Sequence, residues 1–502
     1  MNDVVEIGDP SKFFIEYTDE AGRFKRIYAT EEQTDIIETS LTTSDNIMIN
    51  ALAGAAKTTT LQFLCKYLPE EQTLSLAFNK RIAEEMKKKL PPHVMPMTLN
   101  AVGHRAWGSA IGRKLLVESG KSYAILSTYV KEQSKSEQGD YYDNFGEILK
   151  AVQQAKIKGY IPKSFEKSGL ISRDEFFASL EDDISPDLVD ILLTQSIRQA
   201  YAGNIDFDDQ IYMSTMFNAT FPKFPRLMVD EVQDLSGINH AMLEKLVYGR
   251  LFAVGDPWQS MYAFRGSITG SMDKLRDKFN MKVMNLSVSF RCPQNIVKRA
   301  QSRVPHMKWF GTKEGTVEHR IKWGLEQIPD GAAIVCRNNA PLFSLALKLL
   351  ANGRGVKLIG KDIGPGLIKV LRKVSTNDLL PQKEVLVKLE DMEHDLIAKG
   401  KDPDSTHDRF ECLRVFAERG NTLGEAINYA KDLFSREGPI QLLSGHKAKG
   451  LEWDTVYHLD PWRIPSKYAR SPEDLEQERN IDYVITTRAK ETLVLVNMEN
   501  LQ

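Results

Sequence analysis

The chain has 502 residues, enough for two to four domains with substantial cores. Hydrophobic residues make up 42% and charged residues 27%, an ordinary globular balance that excludes a fibrous or largely disordered chain. The formal net charge of −2 excludes a global basic field, so any nucleic-acid site has to be a local groove. Four widely spaced cysteines (Cys65, Cys292, Cys336, Cys412) have no metal-type spacing and read as reduced, mostly buried thiols. No apolar run reaches membrane-spanning length, and the polar, acidic N-terminus does not read as a signal peptide, so no membrane partner is expected.

In chain order, Asn46–Ile49 reads as a short buried strand, and Thr59–Leu68 as a helix with apolar residues at 61, 64, 65 and 68. Between them runs Asn50-Ala51-Leu52-Ala53-Gly54-Ala55-Ala56-Lys57-Thr58-Thr59-Thr60. Strand, small-residue turn, Lys-Thr and helix form the context of a phosphate-binding loop. Backbone N–H groups over Ala53, Gly54, Ala55, Ala56, Lys57, Thr58 and Thr59 would cradle phosphates, Lys57 would reach the terminal ones, and Thr58 would hold a metal ion. The pattern G-x-x-x-x-G-K-[ST] is broken by Ala51 and Ala56 at its two glycine positions. The expected backbone at Ala56 has negative φ, where a β-carbon costs little.

Thr73–Phe78, Arg226–Val229 and Leu251–Val254 read as further parallel strands of the same sheet. The second of these runs straight into Asp230, Glu231, Val232, Gln233 and Asp234. Acids at the carboxyl end of a strand stand where ligands bind in open α/β sheets. Asp230 is suited to hold Mg²⁺, and Glu231 to orient or deprotonate a water; the plain alternative is a solvated acidic loop. From about Arg105 to Tyr201 the pattern is helical and charged. A second strand set follows at Val283–Val288, Ala332–Val335, Ile440–Leu443, Thr455–Tyr457 and Thr492–Val496, interrupted by a mainly helical stretch from 345 to 435.

Taken in order, these segments resemble the UvrD-like superfamily 1 (SF1A) DNA helicases from Gln33 to Arg488. Thr30-Glu31-Glu32-Gln33 is similar to the family's Q motif, which implies that Gln33 reads adenine. Phe78-Asn79-Lys80 and Thr98-Leu99-Asn100 resemble segments that touch single-stranded DNA. Asp206-Phe207-Asp208-Asp209 matches a short acidic motif, and Val229–Asp234 is the DExQD form. Val254-Gly255-Asp256-Pro257-Trp258-Gln259-Ser260-Met261-Tyr262-Ala263-Phe264-Arg265-Gly266 resembles VGDxxQSIYxxRG. That implies γ-phosphate sensing by Gln259 and base contacts by Tyr262 and Phe264. In the second half, Phe290-Arg291, His446–Glu452 and Tyr483–Ala489 resemble further motifs. They imply adenine stacking by Phe290, γ-phosphate contact by Arg291, DNA contact by His446, ribose contact by Glu452 and an arginine finger at Arg488.

The resemblance implies an α/β fold of two RecA-like P-loop domains with parallel sheets, each carrying a mainly helical insertion. The expected boundaries are 1–104 with 202–280 for the first domain and 105–201 for its insertion. The second domain is 281–344 with 436–502, and its insertion 345–435. The implied function is an ATP- and Mg²⁺-dependent helicase or translocase moving 3′→5′ on single-stranded DNA. Single-strand/duplex junctions and loading or recombination proteins are its expected partners. A protein-stripping translocase with little unwinding and an RNA-directed enzyme are the alternatives. The small-residue loop and Ala77-Phe78-Asn79-Lys80 resemble the F-box DNA helicase branch and phage relatives more than the large bacterial repair enzymes.

Overall fold

The computed structural model describes the chain except residues 1–11, 19–22, 78, 181–183, 262–269, 360–362 and 399–400, with the backbone alone at 17, 18, 85, 89 and 363. It divides into two units. One holds 12–51 and Ala56–Leu286; the other holds Leu52–Ala55 and Ser287–Gln502.

The first unit is built on a six-stranded sheet in the order Lys282–Leu286, Ile47–Ala51, Val247–Gly255, Phe224–Val229, Thr73–Ala77, Val94–Thr98. Every neighbouring pair is parallel. The inner strands are buried on both faces, which is why they read as unbroken apolar runs. The outer strand Val94–Thr98 carries Pro96 and reads less clearly, as edge strands do. One expectation is corrected here. The run at 283–288 belongs to no second-domain sheet: Lys282–Leu286 pairs with Ile47–Ala51 at the edge of the first sheet. Only Val288–Ser289 lies beyond it, beside Lys308–Trp309. The first unit therefore runs to Leu286 and not to residue 280. An apolar run reports a strand but not which sheet will accept it.

The first insertion is helical: Lys121–Lys131, Lys135–Asp143, Phe145–Ile157, Arg173–Ala178 and Pro186–Tyr201. Its apolar faces join the sheet in one core that includes Leu74, Val102, Leu126, Ile148, Val152, Leu193 and Leu251. The expected start at residue 105 falls inside helix Leu99–Ile111, which continues to a left-handed cap at Gly112 (φ 64°). That helix packs on Asp209–Met216 so closely that a β-carbon at Gly103 would stand 2.2 Å from the Gln210 carbonyl oxygen.

The second unit repeats the plan in the order Thr316–Arg320, Ala489–Val496, Trp453–Leu459, Ala333–Cys336, Ile440–Ser444, Val356–Leu358, again all parallel. Its insertion comprises Ile363–Val374, Gln382–Ala398, Pro403–Arg419 and Leu423–Ser435. The expected start at 345 falls within helix Asn339–Ala351, and the chain returns to the sheet at Val356–Leu358 before leaving it. Polar pairs dock the insertion. Arg337 binds Asp404 (2.9 Å) and Glu478 (2.7 Å), and the Asp408 carboxylate accepts the Asn339 N–H at 3.0 Å. No helix among the described residues is long and apolar enough to cross a membrane.

The acidic motif at 206–209 anchors the first insertion. Asp209 is fully buried between Lys121 (2.6 Å) and Lys156 (2.8 Å), and Asp206 binds Lys156 at 2.5 Å. Each aspartate also accepts the other's backbone N–H. Removing one member leaves buried charge without its counter-ion, which costs more than the intact pair contributes. Asp209→Asn is expected to destabilise the first unit by about 3–5 kcal/mol. Chemical denaturation reads this directly, and a loss below about 1 kcal/mol, the scale of an exposed pair, would contradict it.

Candidate nucleotide-binding site

A parallel sheet points all its strand ends one way, so loops from distant parts of the sequence meet at its carboxyl edge. In the first unit the adjacent strands Ile47–Ala51, Val247–Gly255 and Phe224–Val229 deliver Lys57, Asp256 with Gln259, and Asp230 with Glu231 to that edge. The next two strands, Thr73–Ala77 and Val94–Thr98, deliver Asn79 and Lys80, and Thr98 and Asn100. Strand order thus sets the phosphate-type residues on one half of the edge and the residues expected to touch DNA on the other.

Lys57 opens helix Lys57–Tyr67, and its ammonium lies 2.8 Å from Glu231 Oε1. Burial opposes its charge, but the carboxylates of Glu231, Asp230 and Asp256 outweigh burial and raise its pKa. Burial, reinforced by Glu231, lifts the Asp230 carboxyl to about 7. Burial likewise lifts Asp256 to about 6, against the pull of Lys57. Three carboxylates therefore face one ammonium in a low-dielectric setting, a charge balance that a divalent cation would correct. Among the described residues no three His, Cys, Asp or Glu side chains converge as a metal site. A Mg²⁺ that bridges phosphates takes only one or two protein ligands, so Thr58 in the first helical turn and Asp230 fit such an ion.

The loop corrects a second expectation. Ala56 has φ 57° and ψ 40°, the left-handed conformation, and not a negative φ. The glycine pattern exists for this backbone, and here an alanine adopts it with the strain that a β-carbon brings. Gly54 is left-handed as well (φ 75°). Leu52–Ala55 groups with the second unit: the Ala53 N–H donates to the Tyr483 hydroxyl at 3.0 Å, and Gly54 O accepts the Phe290 N–H at 2.9 Å. Ala55 is buried, while Thr58 and Thr59 are half-buried.

Two residues that sequence reasoning did not single out tie the acids together. Gln233 donates to Glu231 Oε2 at 2.5 Å and accepts the Asp256 N–H at 3.1 Å. Asp256 in turn accepts from Gln259 Nε2 at 2.6 Å and from the Trp258 N–H at 3.1 Å. Both lay inside motifs already noticed, but only side-chain geometry distinguishes a linking residue from its neighbours.

Several expected site residues are engaged locally. Gln33 completes a capping box with Thr30 and donates to Thr60 Oγ1 at 2.9 Å, so its amide links helix Glu31–Thr42 to the helix of Lys57. Asn79 and Thr98 are helix N-caps, accepting the Ile82 and Ala101 N–H groups. Lys80 is exposed beside Glu84, and Asn100 donates to the Phe207 carbonyl. In the second unit Arg291 pairs with Glu452 at 2.6 Å. Phe290 is 43% exposed, its ring 4.9 Å from that of Phe310. His446 is half-buried in the short helix Gly445–Ala448. Arg488 is buried, donating to the carbonyls of Val484 and Leu451 and to the Thr487 hydroxyl. Phe78, Tyr262 and Phe264 lie outside the described residues.

Residues 29–280, half of the chain, match the family model of the UvrD/REP helicase N-terminal domain. The chain belongs to the UvrD-like superfamily 1 helicases. It is similar to F-box DNA helicase protein 1 of Schizosaccharomyces pombe, 22% identical over 524 residues covering 93% of this chain and 57% of the relative. It is 24% identical to F-box DNA helicase 1 of Gallus gallus, covering 93% of this chain and 49% of the relative. It is 26% identical to ATP-dependent DNA helicase UvrD1 of Mycobacterium leprae, over 51% of this chain and 37% of the relative. The chain thus spans about half the length of these UvrD-like relatives, and less of the last.

Replacing Ala56 by glycine removes left-handed strain of about 1–2 kcal/mol and returns about 0.4–1 kcal/mol to the unfolded chain as entropy. Ala56→Gly is therefore expected to raise stability by up to about 1.6 kcal/mol in denaturant unfolding. A loss of stability would contradict the left-handed assignment.

Proposed function

We propose that this UvrD-like protein is an ATP-driven helicase or translocase that moves 3′→5′ along single-stranded DNA. The observation that supports this most is the Lys57–Glu231 pair set among Asp230, Asp256 and Gln259, with Asn79, Lys80, Thr98 and Asn100 on the same sheet edge. Glu231 neutralises Lys57. Phosphates compete for that ammonium, and its departure leaves Glu231 to orient and deprotonate a water. Thr58 and Asp230 would hold Mg²⁺, which when bound supplies charge neutralisation at the phosphates. Asp230 has to be ionised to bind it, so the proton favoured by burial is released.

In this reading Ala53–Thr59 follow the phosphates. Gln259 senses the terminal one, and Arg291 and Arg488 take the phosphate-contacting roles of their motifs. Gln33 and Phe290 take the adenine and Glu452 the ribose. For these roles Arg291 and Glu452 exchange each other for nucleotide groups, and Arg488 leaves its carbonyls. Phe78, Asn79, Lys80, Thr98, Asn100, Tyr262, Phe264 and His446 are assigned contacts to DNA, aromatic rings stacking on bases and basic groups meeting phosphates. Duplex unwinding at single-strand/duplex junctions, in replication, repair or recombination and with loading or recombination proteins, is the corresponding task.

ATP turnover is expected to depend on single-stranded DNA. Glu231→Gln should retain ATP binding and lose roughly 10²–10⁴-fold in turnover, the usual worth of a general base. Normal turnover in that variant would remove the role given to Glu231. Unwinding of substrates with 3′ or 5′ overhangs checks direction: separation of the 5′-tailed substrate alone would reverse it. Stronger stimulation by RNA than by DNA of the same sequence would favour the RNA-directed alternative.

A further inference from the structure

Gln233 sits three residues after Asp230 and is 1% exposed. Its amide is used at both ends. The nitrogen donates to Glu231 Oε2 at 2.5 Å, and the oxygen accepts the Asp256 N–H at 3.1 Å. The other oxygen of Glu231 faces Lys57 at 2.8 Å. The carboxylate is thus held from two sides, by an ammonium on one and by an amide on the other.

Two backbone features are explained by this placement. Glu231 itself is left-handed (φ 56°, ψ 41°), a conformation that costs a non-glycine residue energy and persists only where its surroundings fix it. The Gln233 side chain bonds back across that turn. Gly255 leaves the room for it: a β-carbon there would stand 2.5 Å from Gln233 Oε1 and 3.0 Å from Val232 Cγ2. Asp256, held by Gln233 through its backbone, in turn holds Gln259 through its carboxylate.

We propose that Gln233 is a positioning residue: it sets the Glu231 carboxylate for attack on water and locks it to the turn that carries Asp256 and Gln259. The proposal rests on the reading of Glu231 as the group that activates water. When Lys57 turns to phosphate, the bond from Gln233 is the restraint that keeps Glu231 oriented.

The test uses the full chain, with ATP turnover on single-stranded DNA and ATP binding measured separately. Gln233→Met keeps the length and loses both bonds. Gln233→Glu keeps an acceptor for the Asp256 N–H; ionised, it repels Glu231, and protonated, it donates to Glu231. ATP affinity is expected to stay within about threefold for both. Turnover of Gln233→Met should fall about 10- to 100-fold, the range seen for partners that orient catalytic ligands. Turnover of Gln233→Glu, taken relative to the unmodified protein at each pH, should recover as pH falls. Unfolding measured at the same pH values separates this from a recovery of folding, which a purely structural role would give. Turnover of both variants within about threefold of the unmodified protein at every pH overturns the proposal, as does a loss confined to ATP affinity. If Gln233→Met does not fold, the pH profile of Gln233→Glu decides alone. Glu231→Gln separates the two readings: if it turns over normally, the role of Glu231 has failed. If it is inactive while both Gln233 variants are normal, only the positioning role has failed.

Discussion

Lys57 and Glu231 form an ion pair on which the first unit's candidate chemistry depends. It is half-buried, at 2.8 Å, among two more carboxylates that burial makes reluctant to ionise. Such a pair is weak as a source of stability, because desolvation offsets its Coulomb attraction. Its consequence is competition. An ammonium surrounded by more negative charge than it can neutralise is a poor permanent partner for any one carboxylate. A ligand that brings phosphate together with a divalent cation would compete with Glu231 for Lys57.

The backbone around the cluster is under local strain. Ala56, which precedes Lys57, and Glu231 itself are both non-glycine residues in the left-handed region. Left-handed alanine and glutamate persist because helix Lys57–Tyr67, the parallel strands and the Gln233 amide leave no alternative path. The sheet supplies the rigidity: adjacent parallel strands, buried on both faces, fix the positions from which these turns start.

Charged contacts also fasten each insertion to its own sheet unit. In the first unit Lys121 and Lys156 reach from insertion helices to Asp206 and Asp209 at the start of a helix that packs on helix Leu99–Ile111. In the second, Arg337 follows the central strand Ala333–Cys336 and binds Asp404 on an insertion helix and Glu478 on the helix Pro472–Thr486. Both anchors pair buried or half-buried charge, so their geometry tolerates little displacement.

The sequence by itself determined the α/β class and most inner strands, and it marked the candidate chemical groups. Lys57 after a small-residue turn and Asp230-Glu231 after an apolar run are local signals, because each is read from its own segment. Membership in a sheet is not local. Lys282–Leu286 reads as a strand, yet only pairing with Ile47–Ala51 shows which unit holds it. Of the edge strands, Thr316–Arg320 buries too little to show a clear pattern, and Val356–Leu358, though largely buried, is only three residues long. Among these side chains, the tertiary structure alone decided that Ala56 is left-handed, that Gln33 is tied to Thr60, that Arg488 is buried on backbone carbonyls and that Gln233 joins Glu231 to Asp256. The physical reason is that a hydrogen-bond partner is set by what the fold brings within about 3 Å. Thr60 for Gln33, Asp256 for Gln233 and Leu451 for Arg488 come from elsewhere in the sequence.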